Sequence, residues 1–198
     1  MKLAKLTSFF AGALLAATAS LASAQSTWKI DPAHSQAEFT IRHMAISNVR
    51  GRFTNINGTI AFDENDPSKS SVNATVDTTT VDTGVAQRDG HLKSPDFFDV
   101  AKFPTMTFVS KSVAKSGDEY LVTGDLTLHG VTRSVVLHLE DPGKEQPGMD
   151  GKPHRGFSAS TTIHRQDFGL VWNGTLKSGD TVLSDDVKIT LDVEAAKQ

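Results

Sequence analysis

From Ala37 onward the chain alternates apolar and polar side chains with a period of two, the mark of strands that turn one face to a core and the other to water. Ala37, Phe39, Ile41 and His43 share one parity, against Glu38, Thr40 and Arg42. Val49, Gly51 and Phe53 lie on one parity but Ile60 and Phe62 on the other, which predicts a bulge or bend near residues 55–58. Val72, Ala74 and Val76 form a further run, as do Met106 and Phe108. Tyr120, Val122, Gly124, Leu126 and Leu128 make the longest alternation, and Gly130 turns it into Val131, Arg133, Val135, Leu137 and Leu139, a hairpin. Phe157, Ala159, Thr161 and Ile163, then Val187, Ile189, Leu191 and Val193, bring the predicted strands to eight. There is no βαβ rhythm and no repeat, so the pattern predicts an all-β, antiparallel fold, either a two-sheet sandwich or a closed barrel that leaves no edge exposed. An eight-stranded barrel is either packed or holds one small ligand. The inward positions mix Phe, Leu and Ile with Ala37, Gly51, Ala74, Gly124, Ala159 and Thr161, which suits a tunnel and a filled taper equally.

The stretch from Gln87 to Phe108 breaks the alternation. Ser94 is a good N-cap, Pro95 suits a first helical position and Asp96 complements the positive end of a helix, so a short helix is predicted from Pro95 to the Phe103-Pro104 stop. The whole insertion spans residues near 83–102, and Phe97, Phe98 and Phe103 are its docking side chains. Arg88, Asp89, His91 and Lys93 cluster within it. On spacing alone this cluster is either a solvated loop with weak local ion pairs or a polar gate beside an apolar cavity. A second long connection, Arg165 to Val182, carries Phe168, Gly169 and Trp172 and is a candidate for the other lip of such a cavity.

Residues 1–24 add a compartment to this picture. Lys2 and Lys5, an apolar run from Leu6 to Ala19, and Ala22-Ser23-Ala24 form a secretory signal peptide with its cleavage pattern, leaving residues 25–198 as one domain. The formal net charge is −3, and losing those two lysines makes it −5, which argues against a nucleic-acid partner. No cysteine is present, so thiol catalysis and disulfides are excluded and the exported domain relies on its own core. No second long apolar segment follows, so no integral membrane segment is expected in the mature chain.

Catalytic signatures such as G-x-S-x-G, H-E-x-x-H and a P-loop are missing, and Asp31, His34 and Ser35 are too close in the chain to stand as a triad, so no enzyme is expected. The seven histidines are scattered without ligand spacing, and no metal site and no cofactor are expected. His43 stands apart because its parity with Phe39 and Ile41 points it inward, where an imidazole needs a polar side chain or a ligand head group as partner.

A set of ordered motifs adds a family resemblance: Trp28 to Ser35 (WKIDPAHS) with Phe39 and His43, Gly51-Arg52-Phe53, Arg88 to Asp99 (RDGHLKSPDFFD), Phe103-Pro104, Gly124 to Thr132 (GDLTLHGVT), and Arg165 to Leu170 (RQDFGL). In this order they resemble the YceI-like proteins, bacterial periplasmic proteins described as polyisoprenoid-binding. The resemblance implies an eight-stranded, antiparallel, lipocalin-like barrel whose apolar tunnel holds an isoprenoid lipid or quinone, without catalysis. His164 departs from the family pattern, which often has an acid before the arginine at 165, so the head-group preference stays open. The expectation is a periplasmic carrier or store for a polyprenyl phosphate or isoprenoid quinone. The head would meet His43, Arg88 and His91, and the tail a wall of Phe39, Ile41, Phe53, Val76, Phe108, Leu126, Phe157 and Ile189. The competing expectation is a stress-response or structural barrel with a packed interior that acts through protein partners. A homodimer is open under either.

Overall fold

The computed structural model describes residues 25–198, so the expected signal peptide lies outside the described residues. The first hairpin is two kinked strands: β1 (Ser26–Ile30) continues as β2 (Gln36–His43), and β3 (Ser47–Phe53) returns as β4 (Ile56–Phe62). Then follow β5 (Ser71–Asp77), β6 (Thr105–Ser116), β7 (Glu119–Leu128), β8 (Val131–Glu140), a two-residue β9 (Gln146–Pro147), β10 (Pro153–His164) and β11 (Leu183–Lys197). All the pairings are antiparallel, each stave beside the next in sequence. β11 closes the ring. Its C-terminal end pairs β1 (Trp28 with Lys197, Ile30 with Ala195) and the rest pairs β2 (Gln36 with Asp192, His43 with Leu183). Counting each kinked strand once, this is the expected closed eight-stranded barrel.

The parity change predicted near residues 55–58 is a backbone kink at Asn55, which sits at φ 57° and brings both Phe53 and Ile56 into the interior. The hairpin predicted at Gly130 turns on His129 and Gly130, with φ 52° and 75°, as a two-residue turn between twisted strands requires. β1 lacked an alternation long enough to read from sequence.

The helical insertion is present, but its helix lies on the other side of Ser94. α1 runs Ala86–Lys93, and Ser94 is its C-cap with ψ 170°, its N–H donating to His91 O. The Ser-Pro pair therefore ends a helix rather than starting one, because proline forces the preceding residue into extended conformation. The Asp89 carboxylate, expected in a charged cluster, accepts the Thr83 N–H at 2.8 Å and the Thr83 hydroxyl, fixing the approach to α1. The two ends of the insertion are joined at Thr78, 1% exposed, whose N–H donates to Pro104 O and whose hydroxyl donates to Phe103 O.

One barrel end is closed by side chains. Trp28, fully buried, meets Phe157 edge-on at 6.3 Å, and Phe62 meets both Tyr120 and Phe157 at 5.9 Å. The Arg155 guanidinium lies 5.3 Å from the Trp28 and Phe62 rings and pairs with Glu64 at 2.5 Å. The opposite end is covered by the α1 insertion and the connection after β10. Between them the interior is hollow. Glycines make room for rings there: a Cβ at Gly51 would collide with Phe39, and one at Gly124 with Phe108, so these two rings lie flat over the backbone.

Candidate functional site

The hollow consists of two chambers in line. The inner one, about 160 Å³, is bounded by Ile60, Phe62, Val113, Val122 and Phe157 toward the plugged end. The outer one, about 460 Å³, is bounded by β2, β3, the insertion and the Arg165–Leu183 region. Ala37, Met106, Leu128 and Ile189 line both, so they form the waist between the chambers. The wall of the inner chamber is nearly all aliphatic and aromatic because every stave contributes its inward parity there.

All the side chains expected at a site line these chambers. Val76, Phe108, Leu126 and Phe157 are in the inner one, Phe39, Ile41 and Phe53 in the outer one, and Ile189 at the waist. His43, Arg88 and His91 all line the outer chamber. Their partners differ. Arg88 donates from Nε to the Thr83 hydroxyl at 2.7 Å and from Nη2 to the Thr83 carbonyl at 3.0 Å, which holds it in place. His91 Nε2 lies 2.9 Å from Asp96, and its ring stands edge-on to Phe97 at 5.0 Å and to Trp172 at 5.1 Å. Trp172 and Phe97 are themselves 5.2 Å apart, so helix, turn and second loop meet in one aromatic group at the rim. Lys93, in the same sequence cluster, is not among the lining residues.

Sequence reading missed Arg165. It continues the inward parity of Phe157, Ala159, Thr161 and Ile163 past the end of β10, which is the signal that was available. Only 3% exposed, it lines the outer chamber. Its Nε donates to Ser184 O at 2.9 Å, and Nη1 donates to the carbonyls of Leu170 and Trp172. These bonds gather the connection from Phe168 to Leu183 into the second lip, with Gly169 at φ 78° ending the 3₁₀ turn Arg165–Phe168. Nη2 is buried and has no hydrogen-bond partner among the described residues. Burial pushes the guanidinium below its ordinary pKa, and the Asp185 charge opposes that shift. His164, the residue departing from the family pattern, points away toward Asp186 at 2.8 Å.

The Asp31, His34 and Ser35 group does not assemble a nucleophile and base. His34 Nδ1 is 2.8 Å from Asp31 Oδ2, while the buried Ser35 hydroxyl is held between the carbonyl and N–H of Glu194. The structure does bring Asp31, His34 and Glu194 together, with one potential metal-ligating atom from each inside 4.8 Å. That cluster sits at the kink between β1 and β2, outside both chambers. Asp31 is held below the usual carboxylate range and His34 above its usual value, chiefly by their mutual hydrogen bond.

Known proteins resemble this chain in sequence and fold. Residues 28–195 match the YceI-like domain. The chain is 40% identical over 192 residues to Protein YceI of Salmonella newport, covering 96% of each, and 39% identical over 193 residues to a UPF0312 protein of Pectobacterium atrosepticum, covering 98% of this chain and 97% of the relative. The crystal structure of the Campylobacter jejuni YCEI protein superposes with a TM-score of 0.66 at 34% identity, over 79% of this chain and 90% of that one. A polyisoprenoid binding domain from Saccharophagus degradans, 16% identical, shares the fold with a TM-score of 0.62 over 86% of this chain and 98% of the other. With the family match running from Trp28 to Ala195, across the barrel and both its lips, the chain belongs to the YceI-like domain family.

Proposed function

We propose that this protein binds a long-chain isoprenoid lipid, a polyprenyl phosphate or an isoprenoid quinone, and carries or stores it in the periplasm. The observation that supports this most directly is the pair of chambers in line, the inner one nearly all apolar and without a charged side chain in its lining, the outer one rimmed by Arg88, His91 and Arg165. Such a shape fits a hydrocarbon tail passing the waist with a polar head left behind at the rim. Each methylene moved from water into the tunnel is worth about 0.8 kcal/mol, so the tail can supply affinity and the rim selectivity. The likeness in fold to a domain described as polyisoprenoid-binding is consistent with the same cargo class.

The test is native mass spectrometry, with lipid extraction, of protein expressed with its leader and purified from a bacterial periplasm. The expected result is a co-purifying isoprenoid at up to one per chain. Ligand-free protein that also fails to take up a twenty-carbon isoprenoid in vitro would refute the reading.

A further inference from the structure

The barrel buries two arginines and treats them differently. Arg155, 6% exposed, is answered by carboxylates, Glu64 at 2.5 Å and Glu145 at 3.9 Å. Arg165, 3% exposed, is answered by three main-chain carbonyls and no carboxylate in direct contact among the described residues. Carbonyls satisfy N–H groups but leave the net charge uncompensated, and a guanidinium does not shed its proton to escape burial. The charge nearest to helping, Asp185, is engaged elsewhere: one of its oxygens accepts the Gln166 N–H at 3.0 Å and the other lies 3.7 Å from His164.

The rest of the outer chamber has the same imbalance. Arg88 adds a second guanidinium, with Nε and Nη2 committed to Thr83. Glu38 is the one carboxylate residue on that wall, and it is exposed on the outward parity of β2. A neutral head, such as a quinone or an alcohol, could accept hydrogen bonds there but would leave two positive charges facing a low-dielectric cavity. An anion would do both.

Resting on the proposed isoprenoid cargo, the geometry points to an anionic head group, of the phosphate monoester class, held in the outer chamber against Arg165 and Arg88. Arg165 is then a binding residue as well as the staple of the second lip. With Nε and Nη1 clamped by carbonyls, Nη2 is the one nitrogen left uncommitted, so Arg165 offers a phosphate oxygen a single charge-assisted donor rather than a two-nitrogen fork.

The experiment compares geranylgeranyl phosphate with geranylgeraniol, which have the same tail, by displacement titration on the full mature chain. Wild-type protein should bind the phosphate about ten- to a hundredfold tighter than the alcohol, as hydrogen bonds to a charged group imply. Arg165→Gln should collapse that ratio while the alcohol still binds, and Arg165→Lys should restore part of it. A wild-type ratio near one would overturn the anionic head while leaving the carrier reading intact. A ratio unchanged in Arg165→Gln, with both affinities falling together, would make Arg165 a staple only and also overturn it. Binding of neither compound would overturn both readings. A measurement needing no variant is phosphorus NMR of the bound phosphate across pH. Its second ionisation, near 6 when free, should move down beside two guanidinium groups, and an unmoved value would count decisively against the proposal.

Discussion

Ala37→Leu separates a tunnel from two unconnected cavities. Ala37 is 6% exposed on β2 and lines both chambers, so a larger side chain there narrows the waist without touching the rim. Three added carbons would gain about 2.4 kcal/mol if they fill existing space, while overpacking typically costs about 1–3 kcal/mol, so stability should change by only about 1 kcal/mol in either direction. Binding should respond far more. A five-carbon isoprene unit kept out of the inner chamber forfeits about 4 kcal/mol, roughly a thousandfold in affinity. The assay is fluorescence displacement with prenyl ligands of ten, fifteen and twenty carbons. Wild-type affinity should climb steeply with length, whereas the variant should bind the ten-carbon ligand normally and gain little beyond it. The same dependence on length in both proteins would refute the idea that the tail crosses the waist.

Three further outcomes follow from the packing. Trp28→Ala empties the plug beneath Arg155 and should cost about 3–5 kcal/mol in urea denaturation, with no direct loss of the rim. Gly51→Val should drive the Phe39 ring into the outer chamber, seen as reduced lipid occupancy in native mass spectra with the barrel still folded by circular dichroism. His154, with Nδ1 2.7 Å from Glu194 and Nε2 3.0 Å from Asp150, has its pKa raised above 6.5, first by the Glu194 bond and then by Asp150. Because the folded value is the higher one, this stabilisation is complete below pH 6.5 and is lost as pH rises through the raised value. His34, raised by Asp31, acts in the same direction. Melting temperature measured from about pH 5 to about pH 9 should therefore fall on the alkaline side, and less so in His154→Gln.

The alternation along the chain was enough to determine the eight staves, though not β1 or β9, together with the inward parity and a bend near residues 55–58, because a strand's side chains have a period of two whatever lies across the sheet. Parity also placed His43 and the eight wall residues on the cavity side, and the ordered motifs identified the family. Local chemistry served less well around Ser94. A serine before a proline is a good start for a helix and an equally good stop, and only the hydrogen bonds after Thr83 and the tie at Thr78 decide which. Whether the interior was filled or hollow was beyond the sequence as well, since small inward residues such as Gly51 and Gly124 serve to seat rings against the wall. Tertiary structure alone decided that Arg165 lies buried without a carboxylate, that it shares a chamber with Arg88, and that Glu194 joins Asp31 and His34 at the kink. Each of these depends on distances between residues far apart in the chain, and barrel closure by β11 on β1 and β2 sets those distances.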